Sequence, residues 1–406
     1  MNLATAPPEA ILPHKVFANP GQTATKEQRT RVAILCDFAE ENWPSMDLVG
    51  EMLAMHLDRN SFSAHKLSPP FQRRFTRLSS ANQPFNADRV FNRFWDYQRW
   101  LRPQLADFDL FHVVDHSYSQ LVHGLPPARS IVSCHDLDAF RCLIEPAVEP
   151  RPLLFRKMME RVLSGLQKAE RVTCDSAAIR DELLAHKLVE PDRIRVIPLG
   201  VHPTCSPEAD AIADAEAAEL VRANSNAIDL LHVGSTIRRK RIDVLLKVFA
   251  NVRREIPTAR LLRVGGAFTD EQLHLVDRLA LKNSIVVLPR VSREVLAAIY
   301  RHAALVLQPS DAEGFGLPVI EAMACGTPVV ASDLPVLREV GGEAAAYAAV
   351  ANTDAWSHTV SSLLTERVQD SAKWSSRCDA GLVHANEFTW WKFATRTAEM
   401  YRELLA

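Results

Sequence analysis

Two doubly wound α/β domains facing one another across a cleft are what this chain predicts, and three observations carry the prediction. Short β-branched runs alternate with longer helix-period stretches from residue 31 onward. The alternation pauses at an acidic, alanine-rich stretch and then begins again. A chain of 406 residues is long enough to bury two separate cores without staples. The first series reads RVAILCD (31–37), DLFHVVD (109–115), SIVSCHD (130–136), RVTCDS (171–176) and RIRVIPLG (193–200). The second reads IDLLHVG (228–234), RLLRVGG (260–266), SIVVLPR (284–290), AALVLQP (303–309) and PVVASD (328–333). Apolar runs this short, spaced by amphipathic segments, belong to buried parallel strands joined by crossover helices.

Between the series, Pro203 and Pro207 lead into EADAIADAEAAEL (208–220), a linker running into a surface helix. The expected divisions are therefore a loose leader over 1–30, a first domain over 31–202, a second over 203–384 and a C-terminal helix over 385–406. The leader has no basic start and apolar core, so it does not read as a signal peptide. In the tail, FTWWKFATRTAEMYRELL (388–405) sets Trp391, Ala394, Ala398, Tyr401 and Leu405 near one helical face, which needs a surface to cover. Ligands of doubly wound folds bind beyond the carboxyl ends of the strands, so the chemistry is expected in the loops that follow them.

Composition removes several classes of function. The 47 basic and 49 acidic residues leave a net charge of −2, so nothing draws the whole molecule toward nucleic acid or an anionic membrane. Charged residues at 24% and hydrophobic residues at 47% are those of a folded globular chain. The seven cysteines (36, 134, 142, 174, 205, 325 and 378) include no pair spaced by two residues. That argues against a disulfide framework or a zinc ribbon and fits a reducing cytoplasm. The longest uncharged apolar stretch, 344–351, is too short to span a bilayer.

The loop after the strand ending at Gln308 is the richest in chemistry: PSDAEGFGLPVIEAMACGTPVVASD (309–333). Gly314 and Gly316 let the backbone come close to a ligand, and Leu317 with Pro318 opens a helix. Free amides and the positive dipole end at such a helix start suit a diphosphate. Glu313 and Glu321 put two carboxylates along the same cleft. The glycines alone also fit an ordinary turn; the two carboxylates favour a ligand site. A second loop, HVGSTIRRKRIDVLL (232–246), sets Arg238, Arg239, Lys240 and Arg241 after the first strand of the second series. Four cations there fit a diphosphate clamp, and equally a solvated basic corner; their place at a strand end favours the clamp.

The run EGFGLPVIE (313–321) resembles the Glu-x7-Glu motif of family-4 glycosyltransferases, and 309–342 is similar to that family's signature nearly end to end. Further resemblance lies in 233–252, 133–137, 171–184, 193–201 and 388–404. The resemblance implies the GT-B fold: two Rossmann-like domains, a C-terminal helix packing back toward the first, and a retaining, metal-independent transferase. It implies a nucleotide-sugar donor, UDP- or GDP-linked, held by the second domain and a carbohydrate or lipid-linked acceptor held by the first, with no cofactor. Carried onto this chain, Glu313 meets the donor-sugar hydroxyls and Glu321 the ribose. The amides of Gly314, Phe315, Gly316 and Leu317 hold the sugar and diphosphate. Lys240 neutralises the leaving group, with Gly234 and Ser235 lining the phosphate loop. His135 matches a position facing the donor sugar.

The chain departs from the common pattern at two places. Ser235 stands where an arginine often follows the glycine, so the second cation is expected to be Arg239, with Arg238 the other choice. FAEENWPSMDLVGEM (38–52) replaces a glycine-rich loop, with Ser45 and Met46 expected in the turn. His116, Asp136 and Ser45 are the expected acceptor-side residues. In FNRFWDYQRWLRPQL (91–105), Phe91, Phe94, Trp95 and Leu101 fall at helical spacing and read as a core helix; lipid headgroup or sugar contact is the other reading. The rival functions are a sugar-nucleotide epimerase or hydrolase on the same scaffold, and a non-catalytic sugar-nucleotide-binding protein.

Overall fold

A computed structural model describes residues 29–59, 61–76, 82–222 and 226–406. The expected leader lies, up to residue 28, outside them. The first sheet contains β1 (Thr30–Leu35), β2 (Phe62–Leu67), β3 (Leu110–Val113), β4 (Ser130–Cys134), β5 (Arg171–Cys174) and β6 (Ile194–Val196). Its order is β2-β1-β3-β4-β5-β6, every pairing parallel. The second contains β7 (Ile228–Val233), β8 (Ala259–Val264), β9 (Ile285–Leu288), β10 (Leu305–Gln308), β11 (Val329–Ser332) and β12 (Ala346–Ala348). Its order is β12-β11-β10-β7-β8-β9, again all parallel. All ten runs expected to be strands are strands, and β2 and β12 are added at the sheet edges.

Both faces of each sheet are covered, which is why the strands read as continuous apolar runs. Along β1, Val32 and Ile34 join one apolar cluster and Ala33 and Leu35 another; Leu230 and Leu231 of β7 divide the same way. One cluster runs from Val32 and Ile34 through Trp390, Phe393 and Tyr401 of the C-terminal helix to Leu231 and Val306 of the second sheet. That helix, Trp390–Leu405, therefore packs back onto the first domain. Tyr401 Oη lies 2.6 Å from His112 Nδ1, and Arg402 pairs with Asp58 at 3.0 Å. Of the five residues expected on the buried face of the tail, Ala394, Ala398 and Tyr401 are inside, joined by Trp390, Phe393 and Thr397, whereas Trp391 and Leu405 are exposed.

Two more expectations are corrected. Ser45 and Met46 do not sit in a loop: Pro44 starts the helix Pro44–His56, so both lie in its first turn, with Ser45 exposed. The segment 91–105 is not a plain core helix. Helix Asn82–Phe91 passes through a π turn at Asn92–Asp96 into Tyr97–Leu101. The extra residue of a π turn rotates the helical face. Leu101 stays buried while Phe91 and Trp95 come out at 50% and 68% exposure.

Candidate functional site

The two sheets face each other with the carboxyl ends of their strands, and the loops there are in direct contact. Ser176 Oγ, after β5, donates to the Gly314 carbonyl at 3.2 Å. Glu339 accepts from the amides of Ala177 at 2.9 Å and Ala178 at 3.3 Å, the first turn of helix Ala177–Ala185. Gly314 is pressed against the first domain so closely that a Cβ there would lie 1.8 Å from the His135 carbonyl oxygen. Its missing side chain thus serves the approach of the two domains. Gly316 serves the turn: its φ of +98° caps helix Leu317–Ala324, which begins where expected with Pro318 in its first turn. Pro318 offers no N–H, so Leu317 carries the free amide of that turn. The Phe315 ring is buried 5.9 Å from Phe388, leaving its backbone as the part nearest the cleft.

Glu313 is the hub. Its side chain is 5% exposed, and Lys240 Nζ donates to both carboxylate oxygens at 2.6 and 2.8 Å. Ser310 Oγ donates at 2.6 Å and Gln308 Nε2 at 2.5 Å. Arg239 adds a contact from Nη1 at 3.3 Å. Burial alone would raise the pKa of Glu313, but the Lys240 and Arg239 charges, with the bonds from Lys240 and Ser310, hold it at about 2. Arg239 reaches across the cleft as well, with Nε 2.7 Å from Asp138 Oδ2 and Nη2 3.4 Å from Asp136 Oδ2. Asp136 Oδ1 in turn lies 3.5 Å from His116 Nε2. A line of polar and charged side chains thus joins His116 and Asp136 of the first domain to Arg239, Lys240 and Glu313 of the second.

Of the four cations expected in the phosphate loop, Arg239 and Lys240 turn inward to Glu313, and the Lys240 stem borders Gly234. Arg238 is exposed, and Arg241, in a left-handed conformation (φ 46°), pairs with Asp243 at 2.9 Å. Glu321 lies one helical turn into Leu317–Ala324, half-buried, and accepts from Tyr300 Oη at 2.9 Å. Burial raises its pKa against the bond from Tyr300.

His135 is placed differently from expectation. Its Nδ1 meets Asp175 Oδ2 at 2.7 Å and its Nε2 the Val114 carbonyl at 2.6 Å. Burial would lower its pKa, and the Asp175 carboxylate raises it to about 9. With both nitrogens engaged inside the first domain, His135 has no free nitrogen to offer a sugar. His116 accepts the His135 amide on Nδ1 at 3.4 Å and turns Nε2 toward Asp136. His112, between Tyr401 and Ser133, is structural. Ser45 is not brought to the line joining His116 to Lys240.

Sequence reasoning missed Gln308, Ser310 and Asp138. Ser310 stands in the quoted run 309–333 and Gln308 immediately before it, and Asp138 follows Asp136 by two residues, so an acidic pair after β4 was the available signal. A carboxyl pair at Asp37 and Asp115, at the ends of β1 and β3, was also missed. Burial and the neighbouring Asp115 push Asp37 well above the usual carboxylate range.

Residues 215–378 match the family described as Glycosyl transferases group 1, and residues 51–204 the one described as Glycosyltransferase Family 4. The O-antigen chain mannosyltransferase B of Escherichia coli is 29% identical over 313 residues, 75% of this chain and 79% of that protein. A D-inositol 3-phosphate glycosyltransferase of Mycobacterium sp. (strain KMS) is 32% identical over 208 residues, 49% of this chain and 46% of that protein, so the chain spans about half the length of that relative. Among solved structures, Anabaena HepE in complex with UDP and glucose superposes with a TM-score of 0.71 at 15% identity, covering 92% of this chain and 100% of that one. This likeness shows the shared fold. Two facing parallel sheets, a Glu-x7-Glu run on a helix start, and family matches spanning most of the sequence give one conclusion: the chain belongs to the family-4 type of glycosyltransferases with the GT-B fold.

Proposed function

We propose that this glycosyltransferase is a retaining, metal-independent hexosyltransferase that takes its sugar from a UDP- or GDP-linked donor. The acceptor we propose is a carbohydrate or a lipid-linked saccharide; the relative named for O-antigen chain mannosyl transfer supports that class. The observation that carries the reading is the meeting of Lys240, Arg239 and Glu313 at the amino end of helix Leu317–Ala324. Fixed cations and a helix start are what an ion-free site needs where negative charge develops on a departing diphosphate. In the proposed step the bond from the anomeric carbon to the phosphate oxygen breaks. The bond to the acceptor oxygen forms on the same face, and the acceptor's hydroxyl proton passes to the diphosphate. Glu313 holds the sugar hydroxyls and Glu321 the ribose. The line through Asp136 and His116 marks the side from which the acceptor enters.

The cytoplasm is the proposed compartment, supported by seven unpaired cysteines. Peripheral membrane contact would follow from a lipid-linked acceptor. Among the described residues no helix is long and apolar enough to cross a membrane. The test is to incubate the chain with a panel of UDP- and GDP-hexoses and saccharide or lipid-linked acceptors, with and without a chelator, and to read the new anomeric centre by NMR. Transfer with retained configuration and no chelator effect is expected. An inverted product, chelator-sensitive transfer, or a changed sugar nucleotide without acceptor would overturn the proposal.

A further inference from the structure

Among the described residues Arg263 is a cation without an anion. It lies on β8 at 0% exposure, and among the described residues its Nε and Nη2 have no hydrogen-bond partner. Its remaining contacts are weak: Nη1 donates to the Val264 carbonyl at 3.4 Å, and the guanidinium carbon stands 5.5 Å from the centre of the Phe268 ring. Burial pulls its pKa down to about 10, which leaves it charged at neutral pH. Its register partner on β7 is His232, also at 0% exposure, with neither ring nitrogen partnered among the described residues. Burial keeps that ring neutral.

Two orphaned polar side chains on adjacent strands cost stability, because each has left water without a replacement partner. Folds tolerate such a cost where the group acts on something else. The place says on what. Both residues are near the carboxyl ends of their strands, directly below the loop that begins at Gly234. The His232 ring and the Lys240 stem both border the space over the Gly234 Cα: a Cβ there would lie 3.2 Å from His232 Cε1 and 3.7 Å from Lys240 Cδ. The loop after β8 is packed onto the same turn, since a Cβ on Gly265 would lie 2.0 Å from the Gly234 carbonyl oxygen. Arg263, His232, Gly234 and Lys240 therefore form one column leading to Glu313.

We propose that Arg263, with the neutral His232 beside it, is a buried positive floor under the donor's diphosphate, a positioning residue that acts through the Gly234–Lys240 loop without touching the ligand. This rests on the reading that a nucleoside diphosphate binds there. An unneutralised charge inside the fold is little screened, so its field reaches the loop above, where Glu313 already offsets Lys240. The floor supplies the positive potential that this pairing removes.

The test is calorimetric titration of UDP, GDP, uridine and guanosine into wild type, R263M and R263K, with the melting temperature of each unliganded protein. For R263M we expect a loss on the order of tenfold in affinity for whichever nucleoside diphosphate binds, the scale of one partly screened charge interaction. The matching nucleoside should be unaffected. R263M without ligand should melt higher than wild type, since an apolar chain of similar length replaces an unpaired buried charge. R263K should keep most of the diphosphate affinity. Unchanged diphosphate binding by R263M, equal losses for nucleoside and diphosphate, or an R263M that melts lower or does not fold would each overturn the inference. If wild type binds neither UDP nor GDP, the reading of the site itself fails and the inference goes with it.

Discussion

Replacing Glu313 by glutamine removes one negative charge from the centre of the site and keeps its shape. Wild-type Glu313 is held at about 2 against an ordinary 4.5, a difference worth roughly 3 kcal/mol of folding stability at neutral pH. The group's folded pKa is depressed, so this stabilisation is complete above 4.5 and is lost as pH falls toward 2. Glu313→Gln should therefore be less stable than wild type by about that amount at pH 7. The gap should close on acidification, with less than half remaining at about pH 3. In the variant, Ser310 and Gln308 still have an oxygen to donate to, while Lys240 and Arg239 lose the charge they share. Freed cations should bind a nucleoside diphosphate at least as tightly as in wild type, while sugar transfer falls by about 100-fold or more. Urea unfolding followed by tryptophan fluorescence between pH 7 and 3, together with calorimetry of UDP and GDP, measures both arms. A variant as stable as wild type throughout, or a gap that widens toward acid, would refute the electrostatic account of Glu313.

Lys240→Ala should cut kcat by about 100- to 1,000-fold with less than about tenfold loss of nucleoside-diphosphate affinity, because stabilisation concentrated in the transition state shows in turnover; an active variant would contradict it. Glu321→Gln keeps an acceptor for Tyr300 and hence the fold, but should weaken UDP or GDP binding by about tenfold, as a charged hydrogen bond to ribose would; unchanged calorimetric affinity would remove the ribose role. Gly314→Ala puts a methyl group 1.8 Å from the His135 carbonyl oxygen, so the domains must separate. Transfer should fall and the radius of gyration by small-angle scattering should grow, and wild-type activity would show that the close approach is dispensable.

Local physics wrote much of this molecule into its sequence. The ten expected strands are buried on both faces, so each appears as an apolar run whatever lies beside it. The two strands that escaped notice are edges: β2 carries His65 and Lys66 in FSAHKL, and β12 is three residues long. Glu313, Gly316, Pro318 and Glu321 were readable because helix-start chemistry is decided within a few residues of chain. The cations after β7 were readable as a group, and the family resemblance singled out Lys240 and Arg239, the two that turn inward. Their partners belong to the tertiary structure. Lys240 finds Glu313 across 73 positions, Arg239 finds Asp136 and Asp138 in the other domain, and His135 turns inward because Asp175 and the Val114 carbonyl await it there. The π turn that brings Trp95 to the surface, and the unpaired charge of Arg263 in a strand that reads as ordinary, have the same origin. A side chain's partner is set by which backbones pack together, and sequence spacing records only the packing within one element.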